Sequence, residues 1–521
     1  MVVSGALLVC GTASDAGKSL VTAGICRSLA RRGVRVAPFK AQNMANNSAV
    51  TASGAEIGRA QAMQAAACGI EPEAAMNPVL IKPAGETSSQ VLLMGRPYAN
   101  ATARSYQELK ASLEQPVLDA LSGLRERFDA VICEGAGSPA EINLRSRDLA
   151  NMGLARAADL PVLLVGDIDR GGVFAQLVGT LAVLDAADQR HIAAFLINKF
   201  RGDATVLAPG LDMLHDLTGR CSLGTLPWRE GLWLDAEDSL ALQAPQLAPA
   251  PPVGADTLDV AVVRLRHISN FTDVDALAAE PGVGVRFTRS AVDVERADLV
   301  VIPGSKATVA DLQQLRADGL DRALLRRARA GAPILGVCGG YQLLGERISD
   351  DVESRAGVVD GLGLLPIATT FHPNKLLRRQ SGTGAAAPLG GAAVSGYEIR
   401  HGDPQPVAAG SVAGEPLITT ASGEPEGWLT GAVAGTSWHG LLEGDAVRRA
   451  LLRWVADARG RDWLPGDVPF AAVRERRLDV LGDLIDEHVD RDALDALLAG
   501  GVPEGLPTLD LHRRTTACSA S

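Results

Sequence analysis

Short, nearly continuous apolar segments recur along the first half of the chain. They cover residues 6–10, 34–39, 130–133, 161–165 and 191–197. Segments of this length without alternating polar residues are typical of parallel strands that are covered on both faces. Stretches with helical spacing separate them, such as Lys18 to Arg31 and Gly58 to Ala67. The alternation predicts a doubly wound α/β fold in which 191–197 is the last strand.

A second series of apolar segments follows an Ala-Pro-rich connector. The segments lie at 258–263, 284–287, 298–303 and 333–337. They predict a second, mainly parallel sheet, so the fold class is α/β with two doubly wound domains. A Gly-Ala-rich stretch at 380–396 offers few side chains for packing, and we predict a mobile surface loop there.

The same pattern divides the chain into four parts. We predict a first domain at 1–240, a linker at 241–257, a second domain at 258–456 and a helical extension with a tail at 457–521. In the extension, apolar positions recur at helical spacing beside many acidic residues. An acidic polar face favours a helix that docks on protein and not on anionic lipid.

Composition narrows the class of protein. No apolar run among the 521 residues approaches the roughly 18 that a membrane span needs, and the uncharged start lacks the pattern of an export signal. We therefore expect a cytoplasmic protein that does not bind membranes. The net charge of −11 argues against nucleic-acid binding. Seven scattered cysteines without a CxxC pair make a disulfide framework or a zinc site an unfavourable interpretation.

A phosphate-binding loop follows the first predicted strand and opens a helix. Its glycines are one residue further apart than in the usual Walker A pattern. Backbone N–H groups at a helix N-terminus attract phosphate, a lysine can reach the outer phosphates, and a serine hydroxyl can join Mg²⁺. We expect the nucleotide, ATP, to contact Gly11, Thr12, Asp15, Gly17, Lys18 and Ser19.

Three further side chains follow predicted strands at the same edge of the first sheet. Glu134 ends one strand, where ligands bind in open α/β sheets, and is placed to hold Mg²⁺ together with Ser19. Lys40 begins an amide-rich loop that we interpret as facing a ligand. Asn198 can offer a donor and an acceptor to a nucleotide base.

A cysteine nucleophile is predicted in the second domain. Cys338 lies between an apolar strand and a helical segment and has glycines at 336, 339 and 340. A sharp turn exposes a nucleophile, and small neighbours let a substrate approach. His439, about a hundred residues later, can act as its base.

These motifs together resemble the cobyric acid synthase family. The phosphate loop with Glu134 resembles the dethiobiotin synthetase type of ATP-dependent ligase, and the Cys338 turn resembles class I glutamine amidotransferases in the branch without the usual third acid. The resemblance extends from the first strand to about residue 490. It rests further on the segments 38–44, 134–144, 166–174, 198–203, 302–306 and 396–399.

The resemblance implies a glutamine-hydrolysing carbon–nitrogen ligase of cobalamin biosynthesis. Such an enzyme uses glutamine, ATP and Mg²⁺ to amidate the b, d, e and g carboxylates of adenosylcobyrinic acid a,c-diamide. Lys18 and Lys40 would neutralise the charge of phosphoryl transfer, and backbone N–H groups near Gly304 and Gly339 would stabilise the oxyanion of glutamine hydrolysis. Glu443 stands four residues after His439, where the usual triad acid stands two residues on, so we leave it out. For Mg²⁺ we prefer Glu134 to Asp15 or Asp167.

Three alternatives stay open at this point. The first is a sister enzyme such as cobyrinic acid a,c-diamide synthase, which shares the two-domain architecture. The second is a P-loop nucleotide switch of the partition or cell-division type, although the chain lacks a basic amphipathic tail and carries a full second domain. The third is a glutaminase-like domain that only regulates the first. The position of the corrinoid acid and the oligomeric state do not follow from the sequence.

Overall fold

The computed structural model describes residues 4–83, 88–229, 249–407 and 413–510. The predicted linker lies partly outside these ranges, as do residues 511–521 of the predicted tail, and the domain boundaries stay predictions. Residues 249–257 precede the second domain without helix or strand.

The first domain is built on a parallel sheet. Its strands are β1 (Gly5–Gly11), β2 (Val36–Phe39), β3 (Gln42–Met44), β4 (Ser48–Val50), β5 (Glu56–Gly58), β6 (Val79–Pro83), β7 (Ser89–Leu93), β8 (Arg96–Ala101), β9 (Ala130–Glu134), β10 (Val162–Asp167), β11 (Ile192–Phe200) and β12 (Ser222–Pro227). The parallel sheet has the order β12–β11–β10–β1–β9–β2. Strand β12 lies beyond β11, so the prediction that 191–197 is the last strand was wrong. Two smaller sheets, β3–β6–β7–β8 and β4–β5, lie beside it.

Helices cover both faces of this sheet. They are α1 (Lys18–Arg31), α2 (Arg59–Ala67), α3 (Ala103–Arg127), α4 (Met152–Ala158), α5 (Val173–Val183), α6 (Ala186–Gln189) and α7 (Ala208–Thr218). Leu8 and Cys10 of β1 join the hydrophobic core on one face, while Leu7 and Val9 join the core on the other. Successive side chains of a strand point to opposite faces, which is why β1 is apolar throughout.

The second domain contains a larger, mixed sheet. Its strands are β13 (Leu258–Val263), β14 (Ile268–Ser269), β15 (Val283–Thr288), β16 (Leu299–Ile302), β17 (Gly304–Ser305), β18 (Ile334–Val337), β19 (Arg347–Asp350), β20 (Gly357–Asp360), β21 (Ile367–Gly384), β22 (Ala393–Pro406), β23 (Glu415–Thr420), β24 (Pro425–Thr430) and β25 (Val433–Thr436). Its parallel part has the order β15–β13–β16–β18–β25, in which the first four strands are the predicted segments and β25 was not predicted. The α/β class with mainly parallel sheets is thus confirmed.

Beyond β25 the sheet continues with mostly antiparallel strands. The order is β24–β23–β21–β19–β20, and β22 pairs with β21. The Gly-Ala-rich stretch at 380–396 is not a surface loop as predicted: Thr383 pairs with Ala393, and only 385–392 connect the strands. Main-chain hydrogen bonds form a ladder without large side chains, so a small-residue stretch can still be a strand end.

The helices of the second domain are followed by two that return to the first. Those of the second domain are α8 (Asp275–Ala278), α9 (Ala291–Arg296), α10 (Thr308–Ala317), α11 (Leu320–Arg329), α12 (Gly339–Leu344) and α13 (Asp445–Arg459), and the C-terminal pair is α14 (Phe470–His488) and α15 (Arg491–Gly500). None of the helices within the described ranges is both long and apolar enough to span a bilayer.

Helix α14 docks on protein, as its pattern predicted, and its partner is α1. Leu481 and Ile485 share a core with Ile25 of α1. Along the rim, Arg27 pairs with Asp479 at 2.9 Å and Arg31 pairs with Asp483 at 2.7 Å. The acidic face of α14 therefore meets basic residues of the helix that carries the phosphate loop.

This contact predicts an unusual response to alanine at Gly24 of α1. A Cβ there would lie 2.7 Å from the Leu481 carbonyl oxygen, so Gly24→Ala should push the helices apart and cost about 1–3 kcal/mol. Gly123→Ala in α3 is the matched control, because its Cβ meets nothing within 4 Å. It should be neutral or stabilise by up to about 1 kcal/mol through helix propensity. Denaturant midpoints of both variants check this, and equal midpoints would contradict the tight contact.

Candidate active site

The phosphate loop joins β1 to α1 at the carboxyl edge of the first sheet. Gly11 ends β1, and Gly17 precedes α1 with a φ of 95°, a left-handed conformation that favours glycine. A Cβ at position 17 would also lie 2.1 Å from Asn198 Nδ2. Lys18 Nζ donates to the carbonyl oxygens of Ala13 at 3.0 Å and Gly137 at 2.9 Å. The lysine is thus held over the loop that it closes.

Glu134 is the centre of a buried polar cluster beside this loop. Its Oε1 accepts hydrogen bonds from Ser19 Oγ at 2.8 Å and from Lys40 Nζ at 2.9 Å, and its Oε2 accepts one from Gln64 Nε2 at 2.6 Å. Burial raises the pKa of Glu134, whereas the charge of Lys40 and these hydrogen bonds lower it. The lowering is the larger effect, so the pKa lies below its usual value. Glu134 is therefore a carboxylate at neutral pH.

The donor set at Glu134 fits Mg²⁺. Mg²⁺ prefers oxygen ligands and is usually bound through one or two carboxylates together with substrate phosphates. Ser19 and Glu134 place a hydroxyl and a carboxylate side by side. Among the described residues there is no group of three or more His, Cys, Asp or Glu suited to a metal ion. The other acids considered, Asp15 and Asp167, pair with Arg170 and Lys199.

Thr12 and Asn198 make contacts that shape the loop. Thr12 Oγ1 donates to Gln176 Oε1 at 3.0 Å. Asn198 Nδ2 donates to the Ala16 carbonyl oxygen at 2.9 Å, and its Oδ1 accepts the Lys199 N–H at 2.8 Å. These bonds give Asn198 a role in holding the loop, and a contact of its amide with a base stays a prediction.

Cys338 lies on a strained turn between β18 and α12. Its φ of 50° and ψ of −108° are unusual for a residue with a side chain and cost roughly 1–3 kcal/mol. The flanking glycines make the turn possible: a Cβ at position 340 would lie 1.9 Å from the Ile302 carbonyl oxygen, and one at position 339 would lie 2.6 Å from Ser305 N. The glycine pattern thus reflects close backbone approach.

Cys338 and His439 line one pocket. The pocket encloses about 450 Å³, part of it open to solvent, and Lys82, Lys306, Arg400 and Glu353 also line it. Burial lowers the pKa of His439, but Asp273 and Cys338 raise it to about 10. Of the two glycines predicted to supply oxyanion donors, Gly339 begins α12, and a Cβ at Gly304 would lie 3.0 Å from His439 Cε1. Both glycines border the predicted nucleophile or its base.

An acidic residue, Asp273, contacts His439 as the third member of this group. Asp273 Oδ2 lies 2.7 Å from His439 Nδ1, and Asp273 Oδ1 accepts the Gly440 N–H at 2.8 Å. Sequence reasoning missed Asp273 because it lies far upstream of His439, where no motif marks it. Glu443, the acid near His439 in sequence, pairs with Arg59 and Arg474.

Comparison with known proteins assigns a family to each domain. Residues 7–241 match the CobQ/CobB/MinD/ParA nucleotide binding domain, and residues 259–447 match the CobB/CobQ-like glutamine amidotransferase domain. The name of the first family specifies nucleotide binding and not a reaction, so this match by itself does not choose between an enzyme and a nucleotide switch. The match of the second domain and the full-length relatives favour the enzyme over the nucleotide switch.

The relatives match nearly the whole chain. The cobyric acid synthase of Frankia casuarinae is 58% identical over 97% of this chain and 98% of its own. That of Saccharopolyspora erythraea is 59% identical over 97% of this chain and 96% of its own, and that of Streptomyces coelicolor is 57% identical over 97% and 98%. The chain belongs to the cobyric acid synthase family.

In this member of the family, a buried ion cluster lies between the two domains, beside the Cys338 pocket. Glu56 of β5 is fully buried and pairs with Lys82 of β6 and with Lys375 of β21, each at 2.5 Å. Burial lowers the pKa of Lys375 to about 8, although the Glu56 charge opposes this. Lys82 and Lys375 also line the Cys338 pocket. The first domain therefore forms part of the wall of the pocket in the second.

This cluster predicts a large effect of neutralising Glu56. Glu56→Gln would leave the ammonium groups of Lys82 and Lys375 buried without their counter-charge, at a cost of about 3–5 kcal/mol. Glu71→Gln is the matched control, because Glu71 also pairs with a cation of the second domain, Arg379, but is 73% exposed. It should cost less than about 1 kcal/mol. Denaturant midpoints measure both changes, and similar midpoints would contradict a structural role for the cluster.

Proposed function

We propose that the chain acts as a cobyric acid synthase, transferring ammonia from glutamine to carboxylates of a corrinoid acid with ATP as the second substrate. Identity of 58–59% with two cobyric acid synthases over 97% of this chain carries this proposal. The phosphate loop and the Cys338 pocket supply the two sites that the reaction needs in one chain. Following the family, the substrate is adenosylcobyrinic acid a,c-diamide, amidated at its b, d, e and g carboxylates. A cytoplasmic location stays a prediction.

Activation of the carboxylate is assigned to the first domain. A carboxylate oxygen attacks the γ-phosphorus of ATP, and the bond to the β,γ-bridging oxygen breaks, leaving an acyl phosphate and ADP. Lys18 and Lys40 would offset the negative charge that spreads over the transferring group. Ser19 and Glu134 would hold Mg²⁺, which when bound neutralises phosphate charge. Lys40 Nζ lies 2.9 Å from Glu134 Oε1, so the lysine is in direct contact with the proposed metal ligand.

Glutamine hydrolysis is assigned to the second domain. His439 takes the proton of the Cys338 thiol, and the sulfur attacks the side-chain amide carbon. The carbon–nitrogen bond then breaks as His439 gives that proton to the leaving nitrogen. Ammonia leaves, and water then hydrolyses the glutamyl thioester to glutamate. Backbone N–H groups near Gly304 and Gly339 are proposed to bind the oxyanion. Gly339 follows Cys338 directly in the chain, and a Cβ at Gly304 would lie 3.0 Å from His439 Cε1.

Ammonia then attacks the acyl phosphate and displaces phosphate, forming the amide. Protonation would remove the lone pair that ammonia needs for this attack, so a short path away from bulk water is an advantage. The Cys338 pocket is lined by Lys82 of the first domain as well as by residues of the second. That shared wall supports transfer across the domain interface.

The assignment of the two sites predicts opposite behaviour of two alanine variants. Cys338→Ala should lose glutamine-dependent amidation while keeping amidation with added ammonia, because only the nitrogen source is removed. Lys18→Ala should lose both, since activation of the carboxylate fails. Product formation with glutamine and with ammonium chloride measures the difference. Unchanged glutamine use by Cys338→Ala would contradict the proposed nucleophile and would favour a purely regulatory second domain.

The substrate assignment predicts which corrinoid acid is turned over. With glutamine, ATP and Mg²⁺, the enzyme should consume adenosylcobyrinic acid a,c-diamide and form one ADP for each amide. Cobyrinic acid serves as the alternative substrate and Lys18→Ala as the inactive control. Turnover of cobyrinic acid but not of the a,c-diamide would instead assign the a,c-diamide synthase activity. ATP hydrolysis independent of any corrinoid or glutamine would favour a nucleotide switch.

A further inference from the structure

A buried carboxylate contacts the predicted base of the glutamine site. Asp273 lies in the short turn between β14 and α8, and it is 5% exposed while His439 is 1% exposed. Asp273 Oδ2 lies 2.7 Å from His439 Nδ1, and Asp273 Oδ1 accepts the Gly440 N–H at 2.8 Å. Both carboxylate oxygens therefore bind one short segment that carries the histidine.

We propose that Asp273 is the positioning residue of His439 in glutamine hydrolysis, completing a Cys338–His439–Asp273 arrangement. The proposal rests on the glutaminase function proposed above and deepens it. The usual triad acid stands two residues after the histidine, and this chain has no acid at that position. Asp273, near the start of the second domain, then serves instead.

The geometry gives Asp273 two effects on the imidazole ring. A hydrogen bond from Nδ1–H to the carboxylate fixes the tautomer in which Nε2 is left for exchange of a proton with Cys338 and the leaving ammonia. The negative charge also stabilises the imidazolium that forms when His439 takes up a proton. The Gly440 bond prevents the carboxylate from rotating away.

Other charged groups near His439 do not take this role. Glu443 pairs with Arg59 and Arg474, and Glu426 accepts the Ser437 N–H at 2.6 Å. The Tyr397 ring lies 5.6 Å from the His439 ring, between centroids. The pocket on the side of Cys338 is lined by the titratable residues Lys82, Lys306, Glu353, Lys375, Arg400 and His401. Asp273 is the acid that the described structure hydrogen-bonds to the ring.

The first domain holds the turn that carries Asp273. Asn270 adopts a left-handed conformation with a φ of 49°, and its Oδ1 accepts the Ser48 N–H at 2.9 Å. Asn47 Oδ1 accepts the Phe271 N–H at 3.2 Å. Tyr397, whose main chain pairs with that of His439, donates its hydroxyl to the Ser48 carbonyl oxygen at 3.1 Å. Residues 47–48 thus support both Asp273 and His439, so their alignment depends on domain docking.

Asp273→Asn tests the proposal with little change in shape. Glutamine-dependent amidation should fall at least about 10-fold, because an amide neither fixes the productive tautomer nor stabilises the imidazolium. Ammonia-dependent amidation should stay within about 2-fold. The Asp273 charge raises the pKa of His439, so its removal lets His439 lose its proton at lower pH. The alkaline limb of glutaminase kcat/KM should therefore move to lower pH by about one unit or more.

Glu443→Gln is the matched control, because it removes a neighbouring acid that pairs with arginines and not with His439. Its alkaline limb should stay in place. A wild-type rate and an unshifted limb in Asp273→Asn would overturn the proposal. If Cys338→Ala meanwhile loses glutamine use, the proposed function stands and only the role of Asp273 fails.

A second variant decides the case in which Asp273→Asn also loses ammonia-dependent amidation through misfolding. Asp273→Ala opens space beside His439 Nδ1, where added formate can replace the carboxylate. Recovery of glutamine-dependent amidation with formate, but not with chloride at equal ionic strength, supports the positioning role. Absence of any recovery in this variant overturns it.

Discussion

The ion pairs of the buried Glu56 carboxylate are the interaction on which the docking of the two domains depends. The carboxylate pairs with Lys82 of its own domain and Lys375 of the other. Such buried charges are tolerated only when their geometry is close and their hydrogen bonds are satisfied, because desolvation of each ion is costly. The domains must therefore dock in one register, and that register places Lys82 in the wall of the Cys338 pocket.

One segment of the first domain, residues 40–59, contacts both the phosphate-loop site and the second domain near His439. Lys40 at its start contacts Glu134 beside the phosphate loop, whereas Ser48 and Arg59 contact Asn270 and Glu443 of the second domain. A movement at the nucleotide site thus has a short physical route to the turn that carries Asp273. Helix α14 adds a second connection, since it follows the glutaminase domain in the chain and packs on α1 behind the phosphate loop. The two active centres are parts of one continuous structure.

Residue positions that follow from local geometry were predictable. The phosphate loop needs a strand before it and a helix after it, and Glu134 needs only to end a neighbouring parallel strand. The contact of Ser19 with Glu134 therefore followed from pattern alone. The Cys338 turn was marked by glycines that close backbone approach requires. The same reasoning failed at 380–396, where main-chain pairing of β21 with β22 outweighed the absence of large side chains.

The sequence by itself thus determined the two α/β domains, their order, the phosphate loop and the pairing of Cys338 with His439 in one pocket, because each depends on elements with strong periodicity or glycine spacing. Only the tertiary structure decided that Asp273 meets His439, that Glu56 meets Lys375, and that α14 returns to α1. These contacts join residues that are distant in the chain. Their partners are set by how whole domains dock, and no local pattern records that packing.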